Sequence, residues 1–150
     1  MNIVAFDLGR NFAWAISYNQ RRYVWGHKQL NELRAHRLGE FMRFLMTQAW
    51  LKKMDAVVFE TPFARGRAAT RSLWGQAGVL EACVSELNLP VVDVAVPTIK
   101  KYACGYGKAA KNDMIAAAQR MGYTGTNDNE ADAFCLMKYA ELNLERGVPT

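Results

Sequence analysis

The chain has 150 residues, of which 51% are hydrophobic, and its nineteen Lys and Arg outnumber its fourteen Asp and Glu to give a net charge of +5. This length and apolar content predict one domain, residues 1–150, with a sizeable core. A spanning helix is excluded because no stretch approaches the roughly 18 apolar residues that it needs. The opening apolar run is too short for a secretory signal, so we expect a soluble, cytoplasmic protein. The positive charge favours a polyanionic partner such as nucleic acid, although a merely soluble basic protein has the same composition.

Three cysteines and two histidines offer no metal or disulfide framework. Cys83, Cys104 and Cys135 lie far apart, with no close pair and no histidine nearby. This spacing supports neither a zinc site nor paired disulfides. We expect buried thiols in a reducing compartment, and we expect His27 and His36 to be surface or strand residues rather than ligands.

The first fifty residues predict three strands and a helix. Apolar runs at residues 3–6, 12–18 and 22–28 are joined by tight turns, which is typical of an antiparallel meander. Asn31 is the predicted cap of a helix that reaches about residue 50. Its apolar positions recur at helical spacing and are Leu38, Phe41, Met42, Leu45 and Ala49.

The rest of the chain alternates strands and helices. A fourth strand, buried, at residues 55–59 ends at Glu60, and a polar loop follows to residue 70. A fifth strand covers residues 90–96. Between them a helix is indicated by the apolar positions Leu73, Ala77, Leu80, Val84 and Leu87. Helical segments are expected at residues 98–104, 111–121 and 127–145. The order predicts an α/β fold with a five-stranded mixed sheet flanked by helices.

Acidic side chains stand at the ends of two predicted strands. Asp7 ends the first strand and Glu60 ends the fourth, while Asp132 lies in the acidic segment that opens the last helix. In open sheets ligands bind beyond the carboxyl ends of parallel strands. The acids therefore meet if the first strand lies beside the fourth, and such a cluster suits divalent metal. Alternatives are a turn cap for Asp7 and a salt bridge from Glu60 to Arg65 or Arg67.

The opening of the last helix holds further oxygen donors. Asp132 follows Asn129 by three residues and Asp128 by four, so these side chains share a helix face, whereas Glu130 points elsewhere. Asn127 with Glu130 also resembles a capping box, and Asp128 could simply complement the helix dipole. The fourth ligand of a metal site is therefore Asn129 or Asp128.

Five short motifs in chain order carry a resemblance to a known family. They are Phe6-Asp7-Leu8-Gly9, Phe59-Glu60-Thr61-Pro62-Phe63, Gly75-Gln76-Ala77, the pair Lys100 and Lys111 around Gly105-Tyr106-Gly107, and Glu130-Ala131-Asp132-Ala133. Together they resemble the RuvC Holliday-junction resolvases, especially the short phage-encoded branch. The resemblance implies a single RNase H-like nuclease domain, located in the host cytoplasm if phage-encoded. It also implies a homodimer in which each subunit nicks one of two opposing strands of a four-way DNA junction.

The same resemblance assigns catalytic roles. It makes Asp7, Glu60 and Asp132 ligands of two Mg²⁺ ions, for which Mn²⁺ could substitute, and it needs no small-molecule cofactor or membrane. Lys100 and Lys111 match lysines near the scissile phosphate, where they could neutralise developing charge. As isolated residues both would more often be solvated surface lysines. The family pattern usually has an acid or a histidine at the position of Asn129, so this residue is a departure.

Residues around the polar loop are candidates for DNA binding. Phe63 matches an aromatic near the junction centre and could stack on a base, or it could anchor the loop in the core. Phosphate contacts are expected from Arg65, Arg67, Arg71, Lys100, Lys101, Lys108 and Lys111. Gly75 and Gly78 weaken the second helix, so close packing, against a second subunit or the protein's own sheet, should compensate.

Three kinds of function remain open from the sequence. The first is a metal-dependent, structure-selective endonuclease of the resolvase type. The second is an RNase H-like nuclease that trims other branched DNA or an RNA precursor with the same acids. The third is a non-catalytic module that binds branched DNA, which the Asn129 departure keeps open. An actin-like ATPase is excluded on length, because that fold needs two such domains.

Overall fold

Five strands form one mixed sheet in the order β3-β2-β1-β4-β5. The computed structural model describes residues 1–63 and 66–144. Its strands are β1 (Asn2–Asp7), β2 (Asn11–Tyr18), β3 (Arg22–Gln29), β4 (Ala56–Glu60) and β5 (Val91–Val94). The first three are antiparallel, whereas β4 runs parallel to both β1 and β5. The predicted meander and mixed sheet are confirmed, and β1 is the central strand.

Helices cover both faces of this sheet. They are α1 (Arg34–Thr47), α2 (Arg67–Glu86), α3 (Val96–Cys104), α4 (Lys111–Arg120) and α5 (Asp128–Leu144), with a 3₁₀ helix at Ala49–Lys53. The core between the sheet and the first two helices includes Phe6, Phe41 and Leu80, and the core on the other face includes Ile3, Met114 and Phe134. Among the described residues, no helix combines the length and apolarity that crossing a membrane requires.

The first helix differs from its prediction at both ends. It begins at Arg34 with Leu33 as the N-cap residue, and the side-chain oxygen of Asn31 instead accepts a hydrogen bond from the Leu33 amide at 2.8 Å. This local turn competes with helix formation, as is common for asparagine. The helix ends at Thr47, and its buried positions are Phe41 and Leu45. Two of the positions assigned to its apolar face, Met42 and Ala49, are exposed.

The fifth strand is shorter than predicted. It ends at Val94, and Val96 already belongs to α3. Pro97 lies in the first turn of that helix, where a missing amide hydrogen removes no intrahelical hydrogen bond. The proline therefore starts a helix at a point where the apolar run alone suggested a continuing strand.

Candidate active site

Two acidic side chains meet at the carboxyl end of the central parallel strands. β1 and β4 pair with Phe6 opposite Phe59, so Asp7 and Glu60 occupy the next position of the ladder. Asp7 is 8% exposed, and its carboxyl group shares a hydrogen bond with that of Glu60. Such a bond requires a proton on one of the two groups. The expected adjacency of the first and fourth strands is confirmed.

The start of α5 brings a third acid to the same place. The side-chain oxygen of Asn127 accepts a hydrogen bond from the Glu130 amide at 2.9 Å, which confirms the predicted N-cap. The reciprocal half of the capping box is absent among the described contacts, because the Asn127 amide donates to the Tyr123 hydroxyl at 3.0 Å. This start places Asp132 near Asp7 and Glu60, where its negative charge raises the pKa of both.

Burial and like charges shift the pKa values of these three groups upward. For Asp7, burial is the largest cause and the charges of Glu60, Asp132 and Asp128 add to it, so its pKa lies well above the ordinary value. Burial and Asp132 raise the pKa of Glu60 to about 7, against an opposing effect of Lys100. Burial and Asp128 raise the pKa of Asp132 to about 6. These shifts oppose full ionisation of the cluster, and a cation bound among the three groups would favour it.

The donor atoms of the cluster fit a hard divalent cation. Among residues 1–63 and 66–144, no three His, Cys, Asp or Glu side chains are spaced to enclose a metal ion as they stand. Asp7 and Glu60 share a hydrogen bond in this arrangement, and Asp132 lies close enough to raise the pKa of both. All three offer only carboxylate oxygens, which suit Mg²⁺ or Mn²⁺. A cation would take the place of the shared proton.

The two lysines assigned to catalysis flank the acids. Lys100 on α3 lowers the pKa of both Glu60 and Asp132, so it lies near them. Lys111, at the start of α4, has its ammonium nitrogen 3.1 Å from a carboxylate oxygen of Asp128, although its side chain is 82% exposed. This ion pair lowers the pKa of Asp128. Asp128 thus already has a cationic partner.

The predicted DNA contacts that the structure describes are exposed, except Lys100, which is half-buried. Phe63 is 80% exposed, which argues against its alternative role as a core anchor of the loop. The remaining described candidates that are exposed are Arg67, Arg71, Lys101, Lys108 and Lys111. Arg65 lies outside the described residues. None of the salt bridges within the described part of the chain joins Glu60 to Arg67, so the Arg67 form of that alternative is not supported.

One residue of the site has a role that the sequence did not reveal. Gln76 on α2 is only 2% exposed, and its side-chain oxygen accepts a hydrogen bond from the Gly9 amide at 2.8 Å while its nitrogen donates to the Gly9 carbonyl at 3.2 Å. Both bonds fix the turn that follows Asp7. The sequence signal that could have revealed this role is the position of Gln76, a polar amide side chain among the buried apolar residues of α2. The adjacent Gly75 packs within its own chain, because an added Cβ would lie 3.2 Å from Leu38 of α1.

Comparison with known proteins decides the family. No protein-family model matches the chain. The crossover junction endodeoxyribonuclease RuvC of Chlamydia trachomatis serovar A is 34% identical over 117 residues, covering 73% of this chain and 69% of the relative. The serovar L2 protein is 34% identical over 115 residues, covering 72% and 68%. The chain belongs to the RuvC family.

Solved structures show that the chain has the RuvC fold. Thermus thermophilus RuvC superposes with a TM-score of 0.78 at 15% identity, covering 98% of this chain and 97% of that one. The same protein in complex with a Holliday junction substrate gives 0.83 at 17% identity, covering 98% and 96%. The yeast mitochondrial Holliday junction resolvase gives 0.61 at 12% identity, covering 97% and 80%. The RNase H-like fold that the motifs implied is confirmed.

Proposed function

We propose that this RuvC-family protein is a metal-dependent DNA endonuclease that resolves Holliday junctions by paired, symmetric nicks. The observation that carries the proposal is the meeting of Asp7, Glu60 and Asp132 at one end of the sheet, in a chain whose curated relatives are named crossover junction endodeoxyribonucleases. A related structure holds a Holliday junction substrate, and this fold is the same. The basic surface supports a nucleic-acid substrate.

Asp7, Glu60 and Asp132 would hold two Mg²⁺ ions, or Mn²⁺ in their place. Asn129 is the proposed fourth ligand, because Asp128 is paired with Lys111 at 3.1 Å. When bound, such a pair of cations supplies a water that is nucleophilic at neutral pH and stabilises the leaving oxygen. Asp7 and Glu60 must first lose the proton that they share, which ties catalysis to pH.

Lys100 and Lys111 are proposed to neutralise charge on the scissile phosphate. Lys100 acts on the charges of Glu60 and Asp132, so its ammonium group lies beside the reacting position. Lys111 is exposed and bonded only at its tip to Asp128, so an arriving phosphate can compete for it. Phe63 would stack on an unpaired base, and Arg67 and Arg71 would contact the DNA backbone.

A second copy of the chain would supply the second nick. Gly78 lies on the exposed side of α2, an added Cβ there would meet nothing within 4 Å, and the neighbouring Trp74 is 49% exposed. An open glycine beside an exposed aromatic allows close approach of a partner helix, so we propose a homodimer formed through α2. Sedimentation of the purified protein checks this, and a monomer at the concentrations that support cleavage would contradict paired nicking.

The test is cleavage of a synthetic four-way junction beside a Y-fork, a flap and a linear duplex. With Mg²⁺ we expect cutting of the four-way junction in preference to the duplex. Asp7→Asn should reduce cleavage by a factor on the order of 10³ or more, because the site loses a metal-binding charge. Junction binding should stay intact or tighten, since one negative charge near phosphate is removed. Glu86→Gln, at the far end of α2, is the matched control and should cut normally.

The same panel separates the alternative functions. Equal cutting of forks, flaps or structured RNA would indicate a nuclease with a broader substrate range. Binding without cutting by the unaltered protein would indicate a non-catalytic module. The acids argue against the latter, because carboxylates beside a DNA path repel phosphate unless a cation is present. Undiminished cutting by the Asp7→Asn variant would exclude the role given to Asp7.

A further inference from the structure

A hydrogen-bonded chain of three side chains extends the acidic end of the sheet. The Nδ1 atom of His27 lies 2.7 Å from one carboxylate oxygen of Glu130, and the Tyr123 hydroxyl donates to the other oxygen at 2.7 Å. Tyr123 is 2% exposed and the Glu130 side chain 11%, whereas the His27 side chain is 53% exposed. A buried acid and phenol thus hold a half-exposed imidazole by one of its two nitrogens.

Strand register places this imidazole in the same row as the catalytic acids. Asp7 pairs with Ala13 across β1 and β2, and Ala13 pairs with His27 across β2 and β3. Paired residues project from the same face of a sheet, so His27 and Asp7 point the same way. Tyr23 and Trp25 lie four and two residues before His27 on β3, so they share its face of the sheet, and they pack on the core there. In the strand ladder one residue, Ala13, lies between the histidine and Asp7.

Distance decides what His27 can do. Two strand spacings separate it from Asp7, or about 10 Å between Cα atoms. A proton donor or acceptor must approach to about 3 Å, so His27 is too far away to act on the phosphate that is being cut. The same distance is suitable for a neighbouring phosphate of the same DNA strand. The imidazole therefore lies where it can align the strand rather than react with it.

We propose that His27 is a DNA-backbone contact, held in place by Glu130 and Tyr123, that aligns the scissile strand with Asp7, Glu60 and Asp132. This inference rests on the proposed function. In the imidazolium form both ring nitrogens donate, so Nδ1 bonds to Glu130 while Nε2 bonds to a phosphate oxygen. Glu130 is a positioning residue, and its direction toward β3 explains why it does not join the metal ligands two residues away.

Junction binding and cleavage kinetics of single variants test the contact. At about 0.1 M salt His27→Ala should weaken affinity for the four-way junction about five- to tenfold and lower the slope of log affinity against log salt by about 0.9. The single-turnover cleavage rate at saturating protein and the Mg²⁺ concentration for half-maximal rate should stay within about twofold. His27→Lys keeps a cationic donor and should restore both the affinity and the slope, which a purely structural role would not produce. His36→Ala removes the other histidine, on α1, and should change neither.

Tyr123→Phe tests the positioning. It removes the hydroxyl that holds Glu130 but keeps the ring, and it should weaken junction affinity by less than His27→Ala does. The inference is overturned if His27→Ala leaves affinity and salt slope unchanged, if it shifts only the Mg²⁺ requirement, or if His27→Lys binds no better than His27→Ala. If the unaltered protein neither binds nor cuts the junction, the proposed function fails and this contact fails with it. If the unaltered protein binds and cuts the junction but His27→Ala changes neither affinity nor salt slope, the contact is overturned and the proposed function stands.

Discussion

Burial and mutual repulsion act together on the three carboxylates of the site. Asp7 and Glu60 share a hydrogen bond, and the carboxyl group of Asp132 beside them raises the pKa of both. Removing carboxylates from water without a compensating partner is costly, and these groups respond by holding protons. The metal-free site is therefore a source of instability at neutral pH.

Glu60→Gln should stabilise the metal-free protein at neutral and alkaline pH. Glu60 ordinarily titrates near 4.5, but in the fold its pKa is about 7, so the folded protein binds more protons between these values. The contribution of Glu60 to stability is then fully present below about pH 4.5 and is lost as the pH rises toward 7, by about 1.4 kcal/mol for each unit by which the two pKa values differ. Urea unfolding in EDTA from pH 4 to 8 measures this.

The glutamine variant should lose most of that decline, and Mg²⁺ should stabilise the unaltered protein at pH 8 more than the variant. Glu86→Gln, which removes an exposed acid far from the cluster, serves as the control. Parallel pH profiles for the Glu60→Gln variant and the unaltered protein would contradict the assigned environment of Glu60.

Asn129 and Asp128 should affect metal binding differently. Asn129→Asp adds a charged ligand and should lower the Mg²⁺ concentration for half-maximal cleavage, whereas Asn129→Ala should raise it several-fold. Asp128→Asn should leave this concentration within about twofold, because Asp128 is paired with Lys111. Mg²⁺ titration of the cleavage rate measures all three. A response to Asp128→Asn but not to Asn129→Ala would transfer the ligand role to Asp128.

At the scale of elements, α2 fixes the turn that follows β1. The Gln76 side chain makes two hydrogen bonds to the backbone of Gly9, and Gly9 lies two residues after Asp7. Gly9 has a φ of 146°, a conformation that residues with a side chain rarely adopt. The turn is therefore held by the hydrogen bonds from Gln76 as well as by the conformation of Gly9. Because Asp7 lies two residues before Gly9, these bonds also restrict the position of Asp7.

Gln76→Ala should lower the free energy of unfolding by about 1–3 kcal/mol, because it leaves a part-buried amide and carbonyl of Gly9 without partners. It should also reduce cleavage, since the turn beside Asp7 loses its anchor. Gln119→Ala is a matched control, as its side chain bonds the Gly125 carbonyl in an exposed position at 3.0 Å. Equal stabilities of the two variants in urea would show that Gln76 does not anchor the turn.

Apolar runs sufficed to predict most elements, because burial dominates their formation. β1 to β4 and α4 lie within a residue or two of their expected bounds, and the parallel pairing that joins Asp7 to Glu60 is the one that the sequence required for these acids to meet. The predicted start of α1 was wrong, because Asn31 makes a local turn that helix propensity does not reveal. The contacts of Gln76 with the Gly9 backbone and of Glu130 with His27 could not be predicted, since their partners are distant in sequence.

At the scale of the whole molecule, the fold gathers acids from distant segments while the chain stays basic. The net charge of +5 includes fourteen acidic residues, and Asp7, Glu60 and Asp132 are withdrawn from the general surface into one cluster. A net positive charge, which favours a polyanionic partner, thus coexists with a local cluster of acids that suits cations. The cluster depends on β1, β4 and α5 meeting at the same end of the sheet.

The most direct measurement of that meeting is anomalous X-ray diffraction from crystals of the protein soaked in Mn²⁺ at about pH 8, above the pKa values of Glu60 and Asp132. The account predicts manganese bound among Asp7, Glu60 and Asp132, and its loss in the Asp7→Asn variant. Manganese bound elsewhere, or the three carboxylates turned apart with none between them, would contradict it.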